Sequence, residues 1–299
     1  AEALFRLGMT EESADLRAAL SPAQLLKISS TNMLLCRFRA DDDMVWGLLT
    51  SSHAPNRVGN DTTQRLHASI LMAGKLADAT LVRIDAGSLV YRNANGQESP
   101  REIRTAALEV QGDGDKGLTI FDEPRDVRGT AFLSHSHPTA EDDQWLYLPA
   151  IKRVKRIASR NKSGPFMGSE FAYEDLSSFE IEKYRFEYLR DEACAEQQCF
   201  VLQQSPLDEF SGYSKTIVWI DQQHYRLHKA EYYDRKNALL KTLTLHDYQQ
   251  YLDKYWRPHK LTMQNHQTGK STDLLIHSIS FNTGRTAADF DTNALQRVR

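Results

Sequence analysis

The sequence predicts a mainly β protein, an antiparallel sheet curled into a barrel or a strongly bent shell. Three observations predict it. From about residue 80 onward, short strand-like runs recur roughly every ten residues, and helical interruptions are few. Clusters of Gly, Pro, Asn and Asp separate them, as in Asn93-Ala94-Asn95-Gly96. Several runs alternate strictly, as in Leu240-Lys241-Thr242-Leu243-Thr244-Leu245 and Leu275-Ile276-His277-Ser278-Ile279-Ser280-Phe281, which gives the sheet one dry face.

The first 66 residues read as a helical and irregular extension. Thr10 caps a short helix to residue 20, and Ser21-Pro22 starts a second that continues over 23–28. Apolar runs at 33–38 and 44–49 flank Asp41-Asp42-Asp43, and the turn-rich stretch 51–61 makes the best linker. No function attaches to this part from its residues. Leu66, Ile70, Ala73 and Ala77 then recur at spacings of three and four, an amphipathic helix over 61–78 that would lie on the sheet domain, taken as 67–299.

Strands follow over 80–92, 102–110, 118–121, 130–134, 144–148, 151–157, 179–189, 199–204, 214–221, 225–233, 239–251, 256–264 and 271–281. The long loop 158–178 and a turn around 287–295 are the remaining cover. That is little for so many strands, so the pattern predicts a residual apolar cavity.

A chain of 299 residues buries a sizeable core without metals or many disulfides. Its net charge of -3 gives no general attraction to nucleic acid. No run reaches the ~18 to 20 apolar residues of a membrane-spanning helix. The chain starts without Met or an apolar leader, which fits removal of a signal peptide or its absence. Cys194 and Cys199 lie between two strand-like runs. If the four residues between them form a hairpin loop, the two face each other at about 5.5 Å, the spacing of a disulfide. The competing reading is a pair of reduced thiols; oxidation would place the domain in an oxidising compartment.

No catalytic set emerges. His135 and His137 stand at i and i+2, followed by Glu141-Asp142-Asp143, a spacing that suits a divalent metal and keeps a metal-dependent hydrolase as a remote alternative. The string resembles the HxHxDH motif of metallo-β-lactamase-type hydrolases only in its histidines, because Pro138-Thr139-Ala140 stands where the second metal position needs Asp-His. Gly112-Asp113-Gly114-Asp115-Lys116 joins strand to strand with two acids that repel phosphate. Asp113, Asp115, Asp122, Glu123 and Asp126 lack calcium-loop spacing. No cofactor is predicted.

Two neighbouring segments do stand out. Lys152-Arg153-Val154-Lys155-Arg156-Ile157 continues to Arg160 and Lys162 with no acid, a strip suited to anionic head groups or an acidic partner, or to protecting a solvated edge strand. Directly after it, Phe166, Met167, Phe171 and Tyr173 place apolar bulk on a Gly-punctuated loop. Such a loop either tucks into the core or folds over a cavity as a flap. The residues read as lining or gating a ligand site are Trp145, Tyr147, Phe166, Met167, Phe171, Tyr173 and Trp219, with Lys152, Arg153, Lys155 and Arg156 meeting head groups or a partner.

The same region carries a family resemblance. Asp143–Ala150, Lys152–Ile157 and Gly168-Ser169-Glu170-Phe171-Ala172-Tyr173-Glu174-Asp175 resemble the signature of the outer-membrane lipoprotein-sorting protein family, the LolA-like and LolB-like carriers. The likeness extends upstream through Phe121–Thr130 and downstream through Ser211-Gly212-Tyr213, Tyr232-Tyr233-Asp234-Arg235, Leu240-Lys241-Thr242-Leu243 and Asn265–Ser271. It implies an incompletely closed half-barrel with a few covering helices and a hydrophobic cavity for lipoprotein acyl chains or lipids. A periplasmic address in a Gram-negative bacterium and an RND- or MMPL-type exporter as partner are implied with it. The alternative is an accessory subunit of such an exporter that never holds lipid.

Overall fold

The computed structural model describes residues 82–110, 114–194, 196–253, 255–281 and 286–297. Among the described residues there are thirteen strands: β1 (Val82–Arg92), β2 (Glu98–Leu108), β3 (Lys116–Glu123), β4 (Ala131–His135), β5 (Asp143–Leu148), β6 (Arg153–Ile157), β7 (Tyr184–Cys194), β8 (Gln197–Pro206), β9 (Tyr213–Asp221), β10 (Leu227–Asp234), β11 (Leu239–Tyr251), β12 (Tyr255–Asn265) and β13 (Ser271–Phe281). Among the described residues the helical segments are short 3₁₀ turns, and the helices expected over 10–28 and 61–78 lie outside them.

All thirteen strands join one sheet in the order β6-β5-β4-β3-β2-β1-β13-β12-β11-β10-β9-β8-β7. Every pair is antiparallel, as expected when each strand follows its neighbour through a turn. Two meanders meet where β1 pairs with β13, so the first and last strands lie at the middle of the sheet. The outer strands are β6 and β7, which follow each other in sequence and do not pair. The sheet is therefore open, and the chain must travel from one edge to the other. It does so through residues 158–183, a strap.

Turn chemistry and alternation set the registers. At the β1–β2 hairpin Asn93 Oδ1 accepts the Asn95 and Gln97 amides, and Gly96 adopts φ 79°, a left-handed conformation that costs glycine least. In β11, Leu243 and Leu245 are buried opposite Met263 and Leu261 of β12, while Thr242 and Thr244 point the other way.

One dry face was expected, and two exist. The main core holds Leu89, Ile103, Phe121, Phe132, Leu146, Leu202, Val218, Ile220, Leu243 and Met263 on the face that carries the strap. On the opposite face Ala106, Leu118, Ile120, Ala131 and Leu133 are covered by Phe290 and Leu295 of the C-terminal turns Ala287–Phe290 and Ala294–Arg297. The physical reason lies in Ala131-Phe132-Leu133. An unbroken apolar run is what a strand buried on both sides requires, whereas alternation marks burial on one.

Several boundaries shift, and β2 runs over Glu98–Leu108 where 102–110 was expected. The run 151–157 begins as strand only at Arg153, because Pro149–Ile151 makes a 3₁₀ turn closed by Lys152 at φ 50°. Ahead of β7, Ile181–Lys183 is likewise a turn.

Candidate functional site

The strap is bolted to the sheet. Pro165 bridges Ala172, and Met167 and Gly168 take φ of 50° and 81° to close the tight loop between them. That loop drives Phe166 into the core, where its ring centroid lies 5.8 Å from Phe121, 5.1 Å from Phe132 and 5.5 Å from Tyr173. Phe171 and Ala172 are buried with it, and Met167 and Tyr173 are half-buried against the same cluster. The apolar residues of the loop thus occupy the core and fill the part of the sheet they cross.

A buried polar network fixes them there. Lys241 rises from β11, 3 % exposed, and donates to Asp175 Oδ2 at 2.6 Å and to the Glu170 carbonyl at 3.0 Å. Asp175 also accepts the Ala172 amide at 2.6 Å and the Tyr213 hydroxyl at 2.7 Å. The Lys241 ammonium sits 5.2 Å and 5.3 Å from the ring centroids of Tyr213 and Tyr232. Burial, reinforced by the nearby Asp175 and Glu174 carboxylates, pushes both phenols well above their ordinary value, so they remain protonated.

Around this centre, Glu170 accepts Asn265 Nδ2 at 2.7 Å and its amide donates to Thr272 Oγ1 at 3.0 Å. Glu174 accepts the Gly212 amide at 2.9 Å and the Ser211 hydroxyl at 2.8 Å. Burial raises the Glu174 carboxyl, opposed by those two hydrogen bonds. Gly212 is required because a Cβ there would stand 2.7 Å from that of Ser163. Lys162 pairs with Asp208 and Lys183 with Asp142, securing the two ends of the strap. Arg101 holds the Met167 carbonyl at 2.9 Å.

The seven residues read as one ligand site do not line one site. Phe166, Met167, Phe171 and Tyr173 belong to the strap face. Trp145 and Tyr147 project from β5 to the opposite face, against the C-terminal turns, because Leu146 between them occupies the strap side. Trp219 is buried on that opposite face with Cys199 and Val201, its indole N–H on Glu192 at 3.2 Å and Lys229 4.2 Å above its ring. Period-two geometry separates these residues, and proximity in sequence concealed it.

Lys152, Arg153, Lys155 and Arg156 are all exposed, and the last three lie on the edge strand β6. Arg156 pairs with Asp143 of the neighbouring strand. Cys194 and Cys199 form a disulfide with a Cα separation of 5.8 Å. They bridge diagonally, since Cys194 pairs with Gln197 and Cys199 opposes Glu192.

The histidines face different partners. His135 donates from Nε2 to the Phe290 carbonyl at 2.7 Å, and burial lowers its pKa below the usual histidine value. His137 lies 3.2 Å from Asp143. Among the described residues no three His, Cys, Asp or Glu side chains converge on a metal position. Within the acidic cluster, Asp122 pairs with Arg104 and Glu123 with Arg128.

The anchoring residues Asp175, Lys241, Tyr213, Tyr232 and Asn265 were not singled out by their chemistry. Each nevertheless sits inside a string that carries the family resemblance. Strings scattered over a hundred residues of sequence meet at one place, the attachment of the strap. A family model described as "uncharacterized protein" matches residues 113–297, and the chain belongs to that family. A crystal structure from Vibrio parahaemolyticus, described as an outer membrane lipoprotein-sorting protein domain, is 57% identical, covering 78% of this chain and 100% of that one with a TM-score of 0.76. The chain is a member of the outer membrane lipoprotein-sorting protein family. The family's fold recurs in a DUF1329 protein from Desulfovibrio piger, 23% identical with TM-score 0.73, and in a LolA superfamily protein from Nitrosomonas europaea, 19% identical with TM-score 0.60. Each spans 78% of this chain, and 99% and 98% of its own.

The lipoprotein-sorting fold is preceded by a segment of different kinship. Residues 1–78 match the family of the flagellar transcriptional activator FlhD and belong to it. The FlhD regulator of Acidovorax sp. (strain JS42) is 54% identical over 78 residues, 26% of this chain and 72% of the regulator. That of Ralstonia nicotianae is 51% identical over 71 residues, 24% and 63% respectively. The match runs past residue 66 and through the segment whose periodicity predicts an amphipathic helix.

Proposed function

We propose that the β domain is a periplasmic carrier that shields acyl chains of lipoproteins or lipids against the strap face of its open sheet. The observation that carries this reading is the continuous apolar strap face of a sheet whose edges do not close, in a chain 57% identical to a domain described as lipoprotein-sorting. Apolar burial drives loading at ~0.8 kcal/mol per CH₂, and release needs only a competing apolar site. The strap supplies part of the wall, with Phe166, Met167, Phe171 and Tyr173 facing the sheet. The exposed Lys152, just before β6, and Arg153 and Lys155 on the β6 edge suit anionic head groups or the acidic surface of an exporter of the RND or MMPL type.

A disulfide at the β7–β8 hairpin favours an oxidising compartment, and among the described residues no helix is long and apolar enough to cross a membrane. The carrier reading concerns the β domain. The FlhD-like segment, whose relatives are described as flagellar transcriptional regulators, lies outside this reading. No enzyme reaction is assigned.

Purification of the full chain followed by extraction and mass spectrometry tests the proposal. It predicts co-purifying acyl lipids in near-stoichiometric amount. Protein that carries none, yet is retained by an exporter through the β6 edge, would establish the accessory-subunit alternative instead.

A further inference from the structure

The two edges of the sheet differ in charge. β7 carries both signs, and some of its charges are engaged within the strand: Arg190 pairs with Glu192, and Asp191 accepts the Tyr188 hydroxyl at 2.9 Å. β6 carries one sign. Arg153, Lys155 and Arg156 lie on it with no acid among its five residues, and the exposed Lys152 precedes them. The turns Pro149–Ile151 and Ser159–Asn161 bound this stretch, so the edge is a short, defined length of extended backbone. Among the described residues β6 pairs with β5 alone, which leaves the outer row of its amides and carbonyls open to a further strand.

Cross-strand pairing assigns each β6 side chain to a face. Arg153 and Lys155 stand opposite Leu148 and Leu146, on the strap face. Val154 and Arg156 stand opposite Tyr147 and Trp145, on the other face. There Arg156 is engaged by Asp143, and Val154 is only half-buried. The edge therefore offers three things side by side: two exposed cations toward the strap face, a row of backbone groups, and an incompletely covered apolar side chain toward the opposite face.

This combination discriminates among partners. A bilayer is a plane of head groups and supplies no backbone to the open row. A second copy meeting β6 through its own β6 would set cation against cation. An extended polypeptide with acids at alternate positions and apolar residues between them satisfies all three features. Its backbone continues the ladder, its carboxylates meet Arg153 and Lys155, and an apolar side chain covers Val154. We propose that the β6 edge accepts such a segment of a partner protein as an added strand. The proposal deepens the reading of this edge as an exporter contact, on which it rests, and is independent of acyl-chain binding on the strap face.

Fluorescence anisotropy of the full chain with labelled acetyl-Val-Glu-Val-Glu-Val-Glu-amide tests it, with hydrogen exchange measured on the same complex. Binding should saturate at one peptide per chain, weaken with added salt, and slow exchange at Arg153–Ile157. The same peptide N-methylated at its four central residues keeps its charge but cannot form a ladder, and should bind at least about tenfold more weakly. The exposed-site double variant Arg153→Ser with Lys155→Ser should weaken the unmodified peptide about fivefold. Equal binding of the N-methylated peptide, or slowed exchange confined to β7 or the strap, overturns strand addition. Anionic vesicles of phosphatidylglycerol that bind through Arg153 and Lys155 when the peptide does not would assign the edge to head groups and overturn it as well. A fatty-acid probe run in parallel separates the two readings. Peptide binding without probe binding removes the carrier reading and keeps this one, whereas probe binding without peptide binding does the reverse.

Discussion

Lys241 is the side chain whose loss the β domain should feel most. Its charge is compensated by Asp175 and the Glu170 carbonyl in a place with almost no water, so Lys241→Met strands a buried carboxylate. The expected cost is about 3–5 kcal/mol, measured as a lower urea midpoint. Replacing both partners, as Lys241→Met with Asp175→Leu, should recover most of it, because two apolar groups leave no unpaired charge. Additive losses in the double variant would show that the pair is not coupled. His135 makes a pH-dependent contribution. Burial lowers its folded pKa, so over the interval below about 6.5 the unfolded chain binds more protons than the folded one. Stability should therefore fall as the pH drops through that window, and His135→Gln should flatten the slope between pH 7.5 and 5.5. An unchanged slope would mean that the ring is not held neutral by its contact with the C-terminal turns.

Among the elements, the strap and the β7 edge make separable demands. Phe166→Ala removes a ring enclosed by Phe121, Phe132 and Tyr173 and should cost about 3–5 kcal/mol, with loosening read by hydrogen exchange across 158–183. The disulfide closes a short loop with a sequence separation of 5. Cys194→Ser with Cys199→Ser should cost about 2 kcal/mol by loop-closure entropy, with faster exchange confined to β7 and β8. Strands were the legible elements. Turn residues at each hairpin and alternation in β11 and β13 place the strands correctly, because local chemistry decides them. Which face a side chain occupies was harder to read. Trp145 and Tyr147 neighbour the strap in sequence, but Leu146 takes the strap side and sends them to the other. The anchoring of the strap was also illegible from spacing, since Asp175 and Lys241 stand sixty-six positions apart and meet only because the strap crosses the sheet.

At the scale of the molecule, β1 and β13 pair at the middle of the sheet, leaving both free edges to strands consecutive in sequence. That topology makes a connection from edge to edge unavoidable, and the chain uses it as a wall of the apolar face. The antiparallel shell could be read from rhythm and turns. Its family could be read only from the strings that converge on the strap. The kinship of residues 1–78 with FlhD was not legible, because helical periodicity of the kind seen at Leu66 and Ile70 is shared by helices of every function. The central claim is that the strap face holds an acyl chain, and direct titration of the full chain with a fluorescent fatty acid tests it most directly. Saturable binding at one probe per chain, displaced by a triacylated lipopeptide, is the predicted result. A probe that neither saturates nor is displaced would contradict the account.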